Sequence, residues 1–301
     1  MARKKDYRYA FSPSALGIFK DCKRCFWHQM KDGLRRPDGI TPSLPSGMDW
    51  ILKDHFDSYQ GTNELPPSLA MLEGMSLFDD REKLKVWQNN YVGINTRVGQ
   101  DLVRGAVDYM LQQKTDDGVV LSVIDFKTRG WPLKQDSVDR YQFQLGLYNW
   151  MLQQNGFKTT EHGYLLYIDP ASAIEPQIAL NKTDSVLYDF ILKKNKITRE
   201  TAASDQQYDP ARVLGMENCR AVSEIKNEHA VSLFVAGFNA TLLKLPASAE
   251  DARDVVYGAI ELLEGKTIPS PDEDCGNCTY VRSRARHVSK ERFLAYVAQR
   301  R

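Results

Sequence analysis

The stretch from Asp108 to Thr128 constrains this chain more than any other, because it reads as two strands joined by a tight turn and gathers opposite charges in an apolar setting. Asp108 sits near the end of one strand pattern, and Asp125, Phe126, Lys127 and Thr128 end the next. Side chains alternate faces along a strand, so Asp125 and Lys127 share one face and Ile124 and Phe126 the other. A loop of Asp116 and Asp117 sets Asp108 opposite Asp125, whereas a loop of Asp117 and Gly118 sets it opposite Lys127. Either register places two carboxylates and one ammonium on one face. Around them lie Val103, Ala106 and Val107 before the turn and Val119, Val120, Leu121, Val123 and Ile124 after it, a pattern of strands covered on both sides. Two carboxylates at the rim of a covered sheet repel each other unless a divalent cation lies between them. The pattern predicts a metal site; the competing reading is a cross-strand charge cluster of small energetic weight.

Gly105, Ala106, Val107 and Asp108, then Ile124 to Thr128, then Gln144 and Tyr148 form an ordered set that resembles the PD-(D/E)XK nuclease superfamily, specifically its RecB-like branch. The resemblance implies that Asp108 is the first acidic motif residue, that Asp125 and Lys127 are the acidic residue and lysine of the second, and that Gln144 and Tyr148 belong to the helix motif that follows. It implies DNA phosphodiester hydrolysis with Mg²⁺ or Mn²⁺, ligated by Asp108, Asp125 and the Phe126 backbone carbonyl. Hard oxygen donors suit such cations, and one or two of them can neutralise the phosphate and activate water. Lys127 would orient or deprotonate the attacking water. Gln144 and Tyr148 stand four apart in a segment from about Val138 to Asn155 with an apolar stripe of Tyr141, Leu145, Tyr148 and Leu152, ended by Gly156. Periodicity by itself makes Tyr148 a core aromatic; the family motif places both residues behind the metal ligands or against the DNA backbone.

Many RecB-like members carry a further histidine on an early helix. Here Pro45 to Asp49 lead into Lys53, Asp54, His55, Phe56 and Asp57, but His55 lies further from Gly47 than that pattern has it. His55 is a candidate metal ligand, with Asp49 and Lys53 as rivals and a surface or packing role as the alternative.

Cys22 and Cys25 form one C-x-x-C and Cys275 and Cys278 another, separated by most of the chain. Two such pairs read as a four-thiolate metal centre, and both Zn²⁺ and a [4Fe-4S] cluster satisfy that ligand set. RecB-like nucleases with iron-sulfur clusters show one N-terminal and three C-terminal cysteines; here Arg284 stands where a third C-terminal one falls, and Cys25 offsets that loss. The alternative is buried free thiols, as expected for the lone Cys219. Ser12 as N-cap and Pro13 at the first position open a helix running to about Lys31, on which Phe19, Cys22 and Phe26 share a face. A metal joining this helix to the Cys275 loop would staple the chain ends and be structural.

A chain of 301 residues, 42% hydrophobic and 26% charged, can bury a substantial core, and one domain spanning 1-301 is expected, with its nuclease core at about 95-175. The predicted architecture is α/β: a restriction-endonuclease-like core of mixed sheet flanked by helices, a helical N-terminal embellishment and a C-terminal cysteine element. Further helices are predicted from about Gly47 to Gln60, Asp80 to Asn90 and Glu250 to Glu264, with strands from Gly163 to Ile168, closed by Pro170, and from Phe238 to Leu245. The resemblance is strongest from Ser12 to Pro170 and from Phe238 to Tyr280, and an insertion at about 183-230 has no assigned role. A formal charge of +1 gives no global case for nucleic acid. Local patches and bound cations must supply any DNA affinity, the candidate patches being Arg35 and Arg36; Lys193, Lys194 and Lys196; and Arg282, Arg284, Arg286 and Lys290. No apolar run approaches the roughly 20 residues of a membrane span, the N-terminus lacks an apolar signal segment, and thiol ligands suit a reducing compartment, so a cytoplasmic location is expected. Two other functions fit parts of the sequence: a catalytically silent nucleic-acid-binding or scaffold protein, which the intact Asp108, Asp125 and Lys127 disfavour, and thiol-disulfide exchange, which lacks its strand-to-helix context.

Overall fold

Strand β6 (Gly118–Thr128) forms the centre of the main sheet, and its burial says why: every side chain from Leu121 to Phe126 is buried, odd and even positions alike. A strand covered on both faces requires this. The computed structural model describes residues 6–37, 43–62, 64–130, 133–174, 235–285 and 292. Strand β5 (Tyr109–Thr115) pairs antiparallel with β6, Tyr109 facing Ile124 and Thr115 facing Gly118. Asp116 and Asp117 are therefore the two-residue loop, the first of the two registers considered, and Gly118 leaves it with φ 111°. On the other side β8 (His162–Ile174) runs parallel to β6, from Ile124 against Tyr164 to Thr128 against Ile168. A parallel neighbour needs a crossover, which helix α5 (Gln135–Gln154) provides. The sheet order is β2 (Met75–Leu77), β5, β6, β8, β9 (Val235–Pro246), with the short β7 (Lys158–Thr159) also on β6.

A second sheet joins β1 (Ala10–Phe11), β4 (Asp101–Gly105) and β3 (Ile94–Val98) in the order β1, β4, β3. Its existence corrects the strand expected to end at Asp108. Val103 belongs to β4 in this smaller sheet, and Asp108 lies in the connection between β4 and β5. Helix α4 (Arg81–Trp87) and its cap hold that connection: the Val107 N–H donates to the Trp87 carbonyl at 3.1 Å, and the Gln88 amide donates to the Asp108 carbonyl at 2.7 Å.

The expected helix from Ser12 to Lys31 is two helices, α1 (Pro13–Asp21) and α2 (Lys23–Lys31). The Ser12 hydroxyl caps α1 by accepting from the Ala15 N–H at 3.1 Å. Cys22 interrupts the run with extended backbone, φ −164°, serving as C-cap of α1 and N-cap of α2. Phe19 and Phe26 still meet edge to face at 5.3 Å, but Cys22 leaves their face to join the other cysteines. Helix α3 (Ser43–Ser58) begins and ends earlier than the apolar pattern suggests. Strand β8 continues through Pro170 to Ile174 instead of closing there; proline's fixed φ suits extended backbone, and only its missing N–H limits it.

The stripe on α5 is buried as its spacing predicts: Tyr141, Leu145, Tyr148 and Leu152 all enter the core. Helix α6 (Ala249–Glu264), capped by Ser248, packs across α5, and Gly146 permits the approach. Residues Met1–Asp169 with Asn239–Arg301 form one compact unit and Pro170–Phe238 a second; both sites described below lie in the first. The 183-230 insertion, Cys219, Lys193, Lys194, Lys196, Arg286 and Lys290 lie outside the described residues. No helix among the described residues is long and apolar enough to cross a membrane.

A Cβ at Gly146 would stand 2.6 Å from the Ser248 carbonyl oxygen. Helix propensity alone makes Gly→Ala favourable by about 1 kcal/mol, whereas overpacking a tight contact costs about 1–3 kcal/mol. The clash is with backbone, so Gly146→Ala is predicted to destabilise by about 1 kcal/mol. A urea midpoint that rises instead would show that α6 simply shifts aside.

Candidate functional site

The rim of β6 carries the charges. Asp125 and Lys127 point to one side of the strand, and the observed register extends to set Asp108 opposite Asp125. Asp108 uses one oxygen to accept from the Phe126 N–H at 2.8 Å, so the two acidic residues are joined through the backbone of β6 itself. Its other oxygen lies 3.2 Å from the Lys53 ammonium, which also lies 2.9 Å from Asp49 one turn earlier on α3.

Asp125 is 1% exposed. Its Oδ1 accepts from the Gln144 amide at 3.0 Å. Its Oδ2 is buried and accepts no well-directed hydrogen bond, although it touches the Lys127 ammonium as an ion pair. The same ammonium donates to the Phe126 carbonyl at 3.2 Å and lies 5.5 Å from the Tyr141 ring centre. Lys127 thus stands against Asp125 and the Phe126 carbonyl, two of the cation ligands that the family resemblance implies.

Burial pushes the Asp125 carboxyl up to about 7; Lys127 pulls against that shift and Asp108 adds to it. Burial pulls Lys127 down, but the facing carboxylates Asp125 and Asp108 outweigh it and hold the ammonium above its ordinary value. Lys53 behaves alike, with burial opposed by Asp108 and Asp49. A buried carboxylate of this kind is at its lowest energy when it holds either a proton or a cation.

Gln144 and Tyr148 both reach the site. The Gln144 amide bridges Asp125 and the Tyr148 hydroxyl, each at 3.0 Å, and the Tyr148 hydroxyl donates to the Ala106 carbonyl at 2.5 Å. Burial, reinforced by Asp125, raises Tyr148 far above the phenol range, so it remains a donor. Gly105 makes room for it: a Cβ there would lie 2.7 Å from the Tyr148 ring. His55, by contrast, is exposed on α3, with its ring edge to face with Tyr59 at 5.3 Å. It lies about 200° around the helix from Lys53, so the rival Lys53 is the α3 residue that meets Asp108.

A cleft of about 990 Å³ opens beside Lys127, Gln144 and Tyr148 and runs along α1, with Arg104, Arg129 and Arg140 in its walls. None of these three arginines stood out in the sequence, because isolated cations carry no periodic signal.

The second constellation also assembles. Cys22, Cys25, Cys275 and Cys278 have their sulfurs within 4.8 Å of one another, a group that could hold a metal ion. Cys25 lies 3.5 Å from both Cys275 and Cys278, and Cys22 lies 3.8 Å from Cys278. Burial pushes the Cys275 and Cys278 thiols up. Burial also opposes ionisation of Cys22, but the backbone of Asp272 and Cys25 overcomes it and brings Cys22 down to about 6. Arg36, read from sequence only as part of a basic pair, donates to Cys275 Sγ at 3.8 Å, and the Asn277 amide donates to Cys25 Sγ at 3.4 Å. Arg282 and Arg284 are exposed just beyond the centre.

A family model described as the PD-(D/E)XK nuclease superfamily matches residues 10–283. The chain belongs to this superfamily. Membership of this nuclease family agrees with the mixed α/β architecture and implies a nucleic acid substrate. No curated protein matches the chain.

Removing the Tyr148 hydroxyl would take this donor from the half-buried Ala106 carbonyl and free Gln144 from one of its two partners. Tyr148→Phe is predicted to lower unfolding free energy by about 1–2 kcal/mol, measured by urea denaturation. Unchanged stability would mean that the hydroxyl is not part of the support for Gln144.

Proposed function

We propose that this protein is a metal-dependent deoxyribonuclease, hydrolysing DNA phosphodiester bonds in repair, recombination or defence. The observation that carries the reading is the buried Asp125 carboxylate, held by Gln144 on one oxygen and lacking a well-directed hydrogen bond on the other, with Asp108 and Lys127 beside it. The donor set fits a hard dication: Asp108, Asp125 and the Phe126 carbonyl offer oxygen alone, which suits Mg²⁺ or Mn²⁺. When bound, such a cation neutralises phosphate and makes water easier to deprotonate.

The residues themselves do the rest. Gln144 holds Asp125 Oδ1 and so leaves the buried Oδ2 to Lys127 and to a cation. The Phe126 N–H fixes Asp108 in the same way. Lys127 is protonated in the resting site, where it balances both carboxylates; with phosphate present its ammonium orients the attacking water and offsets charge on the pentavalent phosphorus. The arginines of the adjoining cleft offer phosphate contacts, and the RecB-like motif set favours DNA as the nucleic acid.

For the cysteine centre we favour zinc. Tetrahedral ligation with Zn–S near 2.3 Å sets sulfurs about 3.8 Å apart, close to the observed 3.5–3.8 Å contacts. A [4Fe-4S] cluster interposes a cage of iron and sulfide and holds its thiolates further apart. Four thiolates around Zn²⁺ leave a net negative charge, which Arg36 offsets in part. Thiolate ligation suits the cytoplasm.

Cleavage of single- and double-stranded DNA with Mg²⁺ tests the active site. Asp125→Ala and Lys127→Ala are each predicted to lower turnover at least about 100-fold, Lys127→Ala with DNA affinity little changed. Equal cleavage by parent and variants would reject the assignment. Anaerobically purified protein is predicted to be colourless with one zinc per chain by elemental analysis. Brown protein containing iron would reverse the choice of metal, and absence of both would leave four free thiols.

A further inference from the structure

Helix α3 approaches Asp108 with a cation. Phe56 is fully buried, 4.7 Å from the Phe126 ring and 5.2 Å from the Tyr109 ring, which sets the rotation of the helix against β5 and β6. Positions 49, 53 and 56 lie on one stripe at helical spacing, so anchoring Phe56 turns Asp49 and Lys53 toward the rim. Lys53 reaches Asp108 Oδ1 at 3.2 Å with both side chains mostly covered, 27% and 18% exposed. Asp49 holds the ammonium from behind at 2.9 Å. With the Phe126 N–H on Oδ2, both oxygens of Asp108 are engaged.

Ligand supply points the same way. Among the described residues, the four cysteines form the one cluster of three or more His, Cys, Asp or Glu ligand atoms close enough to share an ion. Asp108 and Asp125 therefore have no third such side chain within ligand distance among the described residues. Within the ion-paired cluster itself, three carboxylates, Asp49, Asp108 and Asp125, face two ammonium groups, Lys53 and Lys127. One dication turns that excess of one negative charge into one positive. A second would leave an excess of three positive charges, with no third His, Cys, Asp or Glu ligand atom among the described residues close enough to Asp108 and Asp125 to help hold it, and desolvated excess charge is costly.

We propose that Lys53 is a positioning residue that fixes Asp108 as ligand to a single divalent cation and supplies, as a tethered ammonium, the positive charge that a second cation would otherwise bring. The inference rests on the nuclease reading of this pocket. It assigns α3 a definite place in the site: Phe56 sets the helix angle, Asp49 holds Lys53, and Lys53 holds Asp108. The substitution Lys53→Glu exchanges the ammonium for a carboxylate beside Asp49 and Asp108, a ligand set suited to another hard cation.

Counting cations tests this independently of cleavage. Mn²⁺ is titrated into full-length protein with its cysteine centre intact, and free Mn²⁺ is read by electron paramagnetic resonance. The parent and Lys53→Arg are expected to bind one Mn²⁺, Asp125→Asn none, and Lys53→Glu two. Two ions or none in the parent, or one ion in a Lys53→Glu variant with a parent-like circular dichroism spectrum, would overturn the proposal. If Lys53→Glu fails to fold, the counts for parent and Lys53→Arg decide. DNA cleavage assayed on the same samples separates the two readings. One Mn²⁺ without cleavage supports the single-cation site and rejects the nuclease; two with cleavage keeps the nuclease and rejects the role of Lys53.

Discussion

Strand β6 carries a carboxylate into a place where water cannot follow, and most of the site exists to hold it there. Moving a bare carboxylate into a protein interior costs several kcal/mol even after relaxation. Asp125 meets that cost through partners from different parts of the chain: Lys127 two residues on, Gln144 from the crossover helix, and a cation in the proposed working state. The crossover is itself a consequence of β6 lying beside a parallel β8, because the chain must traverse the sheet to reach it. The helix that supplies Gln144 is thus required by the topology before it is required by the chemistry.

That coupling ties the site to the core. Tyr148 lies in the core stripe of α5 and also donates to the Ala106 carbonyl at the approach to Asp108. From sequence Tyr148 was weighed as a core aromatic or a motif residue; its ring is buried in the core while its hydroxyl accepts from the Gln144 amide. Gly105 is the local condition for this, since a side chain there would strike the Tyr148 ring. On the opposite flank Phe56 packs between β5 and β6 and brings Lys53 to Asp108.

The cysteine centre works at a different scale. It joins the α1–α2 region to the start of a helical segment about 250 residues later in the chain, Cys25 with Cys275 and Cys278. Closing so long a loop costs unfolded-chain entropy that grows only slowly with length, so one bound metal can hold the N-terminal helices and the C-terminal segment together. The break at Cys22 follows from this. A continuous helix would keep Cys22 on the Phe19 face, and the extended residue releases its sulfur toward Cys278.

What was legible in the sequence was whatever depends on neighbours in the chain. The alternation around Asp125 and Lys127, the Ser12 cap, the α5 stripe and the two C-x-x-C pairs are local patterns, and each appears where its spacing puts it. Two things were hidden. The division of residues 101–115 between two sheets depends on which partner each strand finds, and an apolar run carries no label for its partner. The choice of Lys53 over His55 depends on the rotation of α3, set by Phe56 packing against aromatic rings from strands far along the chain. Sequence alone determined which chemical groups the molecule owns and how they are spaced within each element. Tertiary packing decided which of them meet, because helix rotation, strand partnership and the joining of distant cysteines are settled by burying surface that no local segment can bury by itself.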